Sequence, residues 1–378
     1  MAARLPGARK LELADIVRAH GASFSASQRL CPVQRRALRA IERCRTAALG
    51  GELRQCEACG AQRYVYHSCR NRHCPKCQTR AKERWLAARR AELLPVPYYH
   101  LVFTLPHELN ALAQHRPREL YAMLFAAASE TLLEFGRNPR WLGGEIAATL
   151  VLHTWGQTLS QHLHVHCLVG AGALDQAGRW IRSRRGFLFP VQALSQVFRG
   201  KFLAALRTFS PAPQLLAALR SIAWVVYAKR PFGGPQQVLE YLGRYTHRTA
   251  ISNERLLSAD DQAVCFRYRD YAHGKRRRSM KLSPGEFLRR FASHVLPRGF
   301  NRIRHYGLLA NRNKRTLLPR VRAALASPVL REPPVAESVQ AFWQRVAGID
   351  IERCPHCRIG RLRTVQLLAP RSHGPPPC

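Results

Sequence analysis

Residues 162–168 read His-Leu-His-Val-His-Cys-Leu, three imidazoles alternating with apolar side chains. On a strand, alternate residues share one face about 6.6–6.8 Å apart, so two successive histidines can aim their rings at a single ion. His162 and His166 would stand about 13 Å apart along the strand, too far to share an ion easily. Two neighbours among His162, His164 and His166 therefore form the natural ligand pair, with a third ligand from elsewhere, while Leu163, Val165 and Cys167 face a core. The competing reading is a solvated strand face, but such faces usually carry Thr, Lys or Glu.

A second constellation lies in "EYLGRYTHR", where Tyr241 and Tyr245 stand four residues apart on one helix face. Alone, the pair reads as the aromatic edge of an amphipathic helix. Beside a metal-polarised phosphate, a tyrosine hydroxyl is a nucleophile that leaves a covalent phosphotyrosine. Its unperturbed pKa near ~10 requires help from a metal or a base. Arg244, between the tyrosines, and Lys229 are candidates to steady phosphate charge, with plain surface basicity the equally good alternative.

Cysteine chemistry is concentrated near the N-terminus, with seven of the twelve cysteines between residues 31 and 77. Cys56-x-x-Cys59 and Cys74-x-x-Cys77 supply four thiols that can surround one tetrahedral Zn²⁺, with Cys44, Cys69, His67 and His73 close enough to compete or to build a second site. Zinc there would hold shape and do no chemistry. The basic run around it, including Arg70, Arg72 and Lys76, is suited to gripping phosphates. A C-terminal half-site, Cys354 and Cys357 in "CPHCRIGRL", offers only His356, His373 and Cys378 nearby to complete it, and reads as a weak zinc site or an unused remnant.

Composition narrows the partner. The 378 residues carry 61 Lys+Arg against 23 Asp+Glu, a formal net charge of +38. A charge of that size spread along the chain calls for a polyanion, and nucleic acid fits better than a membrane surface. No apolar run reaches the ~18 residues of a membrane span. The best candidate, "LYAMLFAAASETLLEFG", is broken by Ser129, Glu130, Thr131 and Glu134. No signal-like leader is evident, so a cytoplasmic location with reduced or metal-bound cysteines is expected.

The positioning elements are legible in outline. Strands are expected in "YYHLVFTLP", "ATLVLHTW", "HLHVHCLVGAG", "WIRSRRGFLFP", "IAWVVYAKRPF", "TAISNERLL" and "AVCFRYRDY", and helices over about 117–136, 191–219 and the segment opened by Gly-Gly-Pro before the tyrosines. The irregular mixture points to α+β, and the last third reads as basic and irregular. The expected division is a lead-in (1–25), a zinc-binding, DNA-gripping unit (26–95), a catalytic unit (96–255), a basic C-terminal part (256–350) and a half-site with a Pro-rich tail (351–378).

These runs resemble a known family. "HVH" followed by apolar residues looks like the motif of the HUH endonuclease superfamily. "YLGRYTHRTAIS", "CRTAALGG", "SCRNRHCPKCQ", "KRPFGGPQQVLEYLGRYTHR" and "RIRHYGLLANRNK" are similar to runs of the insertion sequence 91 family of two-tyrosine rolling-circle transposases, over about residues 25–320. The resemblance implies an antiparallel sheet carrying the histidines, flanking helices, and a small zinc-binding domain in front. It implies His164 and His166 as the metal pair, with His162 a third ligand or a substrate contact, and Tyr241 and Tyr245 as nucleophiles. The third ligand stays open among His247, Gln157 and His153. Mg²⁺ or Mn²⁺ would serve catalysis. Single-stranded DNA at element termini and target DNA would be the partners, with Arg302, Arg304 and Tyr306 among the DNA contacts. The alternatives are a replication initiator or relaxase on the same motifs, and an inactive copy that only binds nucleic acid. A carboxylate-based transposase is disfavoured because acids between 96 and 255 are few.

Overall fold

The computed structural model describes residues 10–371 apart from 91, 185, 233–236, 239–242, 244–246, 248, 272 and 328–336. Tyr241, Arg244 and Tyr245, with His373 and Cys378 of the tail, lie outside the described residues.

The framework is an antiparallel six-stranded sheet. Its strands are β3 (Tyr98–Thr104), β4 (Glu145–Trp155), β5 (Gln161–Leu174), β6 (Trp180–Arg182), β7 (Val226–Phe232) and β11 (Ile303–Gly307). They run in the order β11-β4-β5-β3-β7, with β6 paired to the end of β5. The two longest, β4 and β5, lie centrally and are almost wholly buried, as their branched and apolar residues require.

The two faces of the sheet divide the labour. One face carries Leu163, Val165 and Cys167, each at most 1% exposed. It packs on helices α5 (Pro117–Arg137) and α6 (Val191–Leu206) through a core in which Phe103 meets Phe198 edge-on at 5.0 Å. Period-two alternation puts the histidines of β5 on the opposite face. There Trp155 joins a second core with α1 (Leu13–Ser27), α2 (Pro32–Glu42) and the helix Pro284–Ser293. Leu168 and Ala147 join a third with Val238, the helix Asn311–Ala324 and Trp85 and Leu86 of α3 (Gln78–Arg90).

Two small sheets complete the chain. In one, β8 (Leu256–Ala259), β9 (Val264–Asp270) and β10 (Arg276–Leu282) lie side by side. In the other, the hairpin β1 (Gly51–Cys56)–β2 (Gln62–Tyr66) is joined by β12 (Leu362–Leu368) from the far end of the chain, pairing Gly51 with Leu368 and Cys56 with Leu362.

The α+β architecture expected from the sequence is present. Three local expectations give way. In "WIRSRRGFLFP" only Trp180–Arg182 forms a strand among the described residues. In "TAISNERLL" only its last two residues, Leu256 and Leu257 at the start of β8, are in a strand, and Asn253–Arg255 make a tight 3₁₀ turn. The last third is regular, with helices, β11 in the main sheet and β12 on the hairpin. High charge hid its amphipathic pattern: Pro284–Ser293 buries Phe287, Leu288, Phe291 and Ala292 beneath an arginine-bearing face, and the Ser283 hydroxyl caps it by accepting from the Glu286 N–H.

Candidate metal centre

Cross-strand register assembles the histidine cluster. His153 on β4 sits directly opposite His164 on β5, and His166 lies opposite Val151 on the same face. Ligand nitrogens of His153, His164 and His166 all lie within 4.8 Å of one another, and the Nε2 atoms of His164 and His166 are 3.2 Å apart. Of the three candidates for third ligand, the structure brings in His153. The His247 ring lies tilted against Trp85 at 5.9 Å, and the Gln157 side chain accepts from the Arg269 N–H. His162 is exposed and lies outside the cluster, although its ring neighbours His164.

The rings are held with one nitrogen turned toward the cluster centre. His164 Nδ1 donates to the His162 carbonyl at 3.0 Å, which leaves its Nε2 lone pair free for a cation. His166 Nδ1 lies 2.9 Å from Nε2 of His100, which β3 delivers from the strand on the other side of β5. Burial lowers His100 to about 4 and His164 to about 3, so both are neutral near pH 7 and able to accept or ligate. His153 stacks on Trp155 at 4.6 Å. Three imidazoles on rigid strands, one of them His164 held neutral by burial, would leave coordination positions open on a bound cation. The sequence signal for His100 was a polar residue inside the buried run "YYHLVFT", with no partner to give it meaning.

The cysteines correct the expected zinc site. Cys56 and Cys59 do not join Cys74 and Cys77: there are two clusters, Cys44–Cys69–Cys74–Cys77 and Cys56–Cys59–Cys354–Cys357. In the first, Sγ–Sγ separations are 3.5 Å (Cys44–Cys77), 3.6 Å (Cys69–Cys77) and 3.8 Å (Cys44–Cys74). A tetrahedron with Zn–S near 2.3 Å has edges of about 3.8 Å, so the four sulfurs fit that ion and are too far apart for disulfides. Hydrogen bonds among the four sulfurs couple their titrations, lowering the Cys44 and Cys77 thiols and raising Cys69 and Cys74. Neither His356, His373 nor Cys378 is needed by the C-terminal half-site, because the β1–β2 hairpin completes it. Both pairs have the same spacing pattern, and only the fold reveals which pairs meet.

Residues 147–316 match the family model described as "Putative transposase", and residues 16–105 match the one described as "Transposase zinc-binding domain". A Sinorhizobium fredii protein named "Putative transposase y4qJ" is 44% identical over 97% of this chain and 98% of its own length. The chain belongs to the insertion sequence 91 family of transposases. The transposase for insertion sequence element IS801 of Pseudomonas savastanoi pv. phaseolicola is 31% identical over 83% of this chain and 79% of its own length. No solved structure matches the chain. Among the described residues no helix is long and apolar enough to cross a membrane.

Basic side chains of this transposase gather in an open cleft of about 820 Å³, lined by Arg70, Arg72, Arg80, Arg84, Arg302 and the aromatic Trp85. His247, two residues beyond Tyr245, lines the same cleft, and Gly243, between the two tyrosines, lies against Leu86 of α3. Arg80 and Arg84, on α3, are the arginines that sequence reading did not single out. Other expected contacts are otherwise engaged. Lys76 pairs with Glu12 at 2.7 Å, and Arg304 lies over the Phe125 ring at 4.3 Å. Tyr306, expected to stack on bases, is half-buried against the main core beside Ser129. Arg302 is 8% exposed, and burial followed by the nearby Arg72 charge lowers it to about 10. Lys229 is exposed on β7, next to His100 in register.

Proposed function

We propose that this transposase cuts and rejoins single-stranded DNA at the ends of its element through a phosphotyrosine intermediate. The observation that carries the reading is the His153–His164–His166 cluster, three ring nitrogens within 4.8 Å of one another on a rigid sheet. A divalent cation held there would polarise a non-bridging phosphate oxygen and orient the phosphate. Imidazole ligands suit Mn²⁺ better than Mg²⁺, which prefers oxygen.

Tyr241 or Tyr245 supplies the nucleophile. Its phenolic oxygen bonds to phosphorus and the 3′-oxygen of the preceding nucleotide departs, taking up a proton; the DNA is left joined by its 5′-phosphate to tyrosine, with a free 3′-OH. A second tyrosine allows a second exchange while the first adduct persists, and no nucleotide cofactor is needed because the phosphotyrosine conserves the phosphodiester energy. The arginine cleft supports this reading: its charges suit a sugar–phosphate backbone, and Trp85 offers a ring for an unpaired base.

The test is covalent capture. Purified protein mixed with end-labelled single-stranded DNA from the element's termini and Mn²⁺ or Mg²⁺ should carry label through a denaturing gel. Tyr241→Phe combined with Tyr245→Phe should abolish the adduct and leave binding in a mobility-shift assay intact. An adduct that survives the double change sinks the tyrosine assignment.

A further inference from the structure

We propose that Cys56, Cys59, Cys354 and Cys357 hold a second Zn²⁺, a clasp that locks the C-terminal strand onto the N-terminal hairpin. The matched zinc-binding segment, residues 16–105, contains only half of these ligands. Cys56 and Cys357 sulfurs are 3.7 Å apart, and Cys59 and Cys354 are 3.8 Å apart. Those are the edges of a ZnS₄ tetrahedron and nearly twice an S–S bond.

The two halves are built alike. The Gly60 N–H donates to the Cys56 carbonyl at 3.0 Å, and the Arg358 N–H donates to the Cys354 carbonyl at 2.9 Å. Gly60 and Arg358, each the fourth residue on, adopt left-handed backbone with φ of 68° and 59°. Glycine does so freely, but an arginine there is strained and persists only where the surroundings fix it. The Gly360 N–H points at the Cys357 sulfur at 3.3 Å, an interaction that stabilises thiolate, and a Cβ on Gly360 would lie 2.6 Å from the Cys56 sulfur. Glu57 N–H donates to the Arg361 carbonyl at 3.0 Å, tying one turn to the other. Around these ligands the apolar cluster is small, made of Cys56, Cys354 and Leu362 with Ala61 and Cys357 against it. With so little buried area around them, a metal held by all four sulfurs would add the main local tie between Cys59 and Cys354, 295 residues apart in sequence, beyond the β1–β12 pairing. His356 Nδ1 lies 3.9 Å from the Cys59 sulfur, outside the four-sulfur set.

The measurement is zinc released from the purified full chain by an organomercurial, which attacks thiolate-bound metal and spares metal held by histidine. Wild type should release two zinc ions per chain, one for each thiol cluster, and Cys354→Ser with Cys357→Ser should release one. Hydrogen exchange should show Arg363–Leu367 protected in wild type and open in that variant, with β5 unchanged. Cys357→His, which keeps a ligand, should retain the second zinc and the protection. One zinc from wild type, or two from the double serine variant, overturns the clasp. The count is independent of DNA cleavage, so it stands or falls apart from the proposed chemistry.

Discussion

The Cys44–Cys69–Cys74–Cys77 cluster offers an ion four sulfurs, whereas the histidine cluster presents three nitrogens from two adjacent strands of one sheet. The thiols lie in loops and helix ends, packed in or against a core with Leu13, Ile16 and Ile41. The histidines sit on strands whose opposite face is already packed by α5 and α6. A closed sulfur site therefore supplies folding energy, and an open nitrogen site rests on a fold that exists without it. The difference separates what a metal does for shape from what it does for chemistry.

The largest effect expected from this contrast is at Cys74, which is 1% exposed. Apparent zinc binding to structural sites is worth about 10–16 kcal/mol, comparable to the whole stability of a domain at about 5–15 kcal/mol. Cys74→Ser should abolish cooperative unfolding of the N-terminal unit, read by circular dichroism and zinc content. Cooperative unfolding retained without that zinc would erase the distinction.

A smaller effect is expected at His100. Outer partners of metal-bound histidines typically set affinity by a factor of about 10–100. His100→Ala should raise the Mn²⁺ dissociation constant by that factor in a titration followed by electron paramagnetic resonance. His100→Gln, which keeps an acceptor for His166 Nδ1, should recover most of it; equal losses in both variants would reduce His100 to packing.

The smallest is a pH effect. Burial lowers His100 to about 4, His164 to about 3 and His294 to about 4, against an ordinary value of 6.5. Between those values the unfolded chain binds protons that the folded chain refuses, so stability is full above about 6.5 and declines as pH falls toward 4. Each such histidine contributes a slope of about 1.4 kcal/mol per pH unit. His294 bonds the Leu159 carbonyl and Thr154, outside either kind of metal cluster. Replacing it with Gln should flatten the denaturation slope by one such increment, and an unchanged slope would show that His294 does not contribute to it.

What could be read from the sequence follows from how local each feature is. The face of β5 was legible because its period of two is written in seven consecutive residues. His153 and His100 were not assigned, because their roles arise from pairing with β4 and β3, and register across strands is a tertiary fact. The cysteine count and spacing pointed to zinc, yet each Cys-x-x-Cys turn is equally able to accept either partner. Proximity in sequence favoured Cys56 and Cys59 with Cys74 and Cys77; the strand pairing of β1 with β12 chose otherwise. Arg80 and Arg84 were hidden in a basic helix whose facing partner, around Asn301–Ile303, comes from far along the chain.

The measurement that bears most directly on the histidine centre is the metal dependence of DNA–protein adduct formation by wild type and His153→Ala. With His153 as the third ligand, the half-saturating Mn²⁺ concentration should rise at least about tenfold while thermal stability stays close to wild type. An unchanged metal requirement in His153→Ala, with adduct yield intact, would contradict a three-histidine centre.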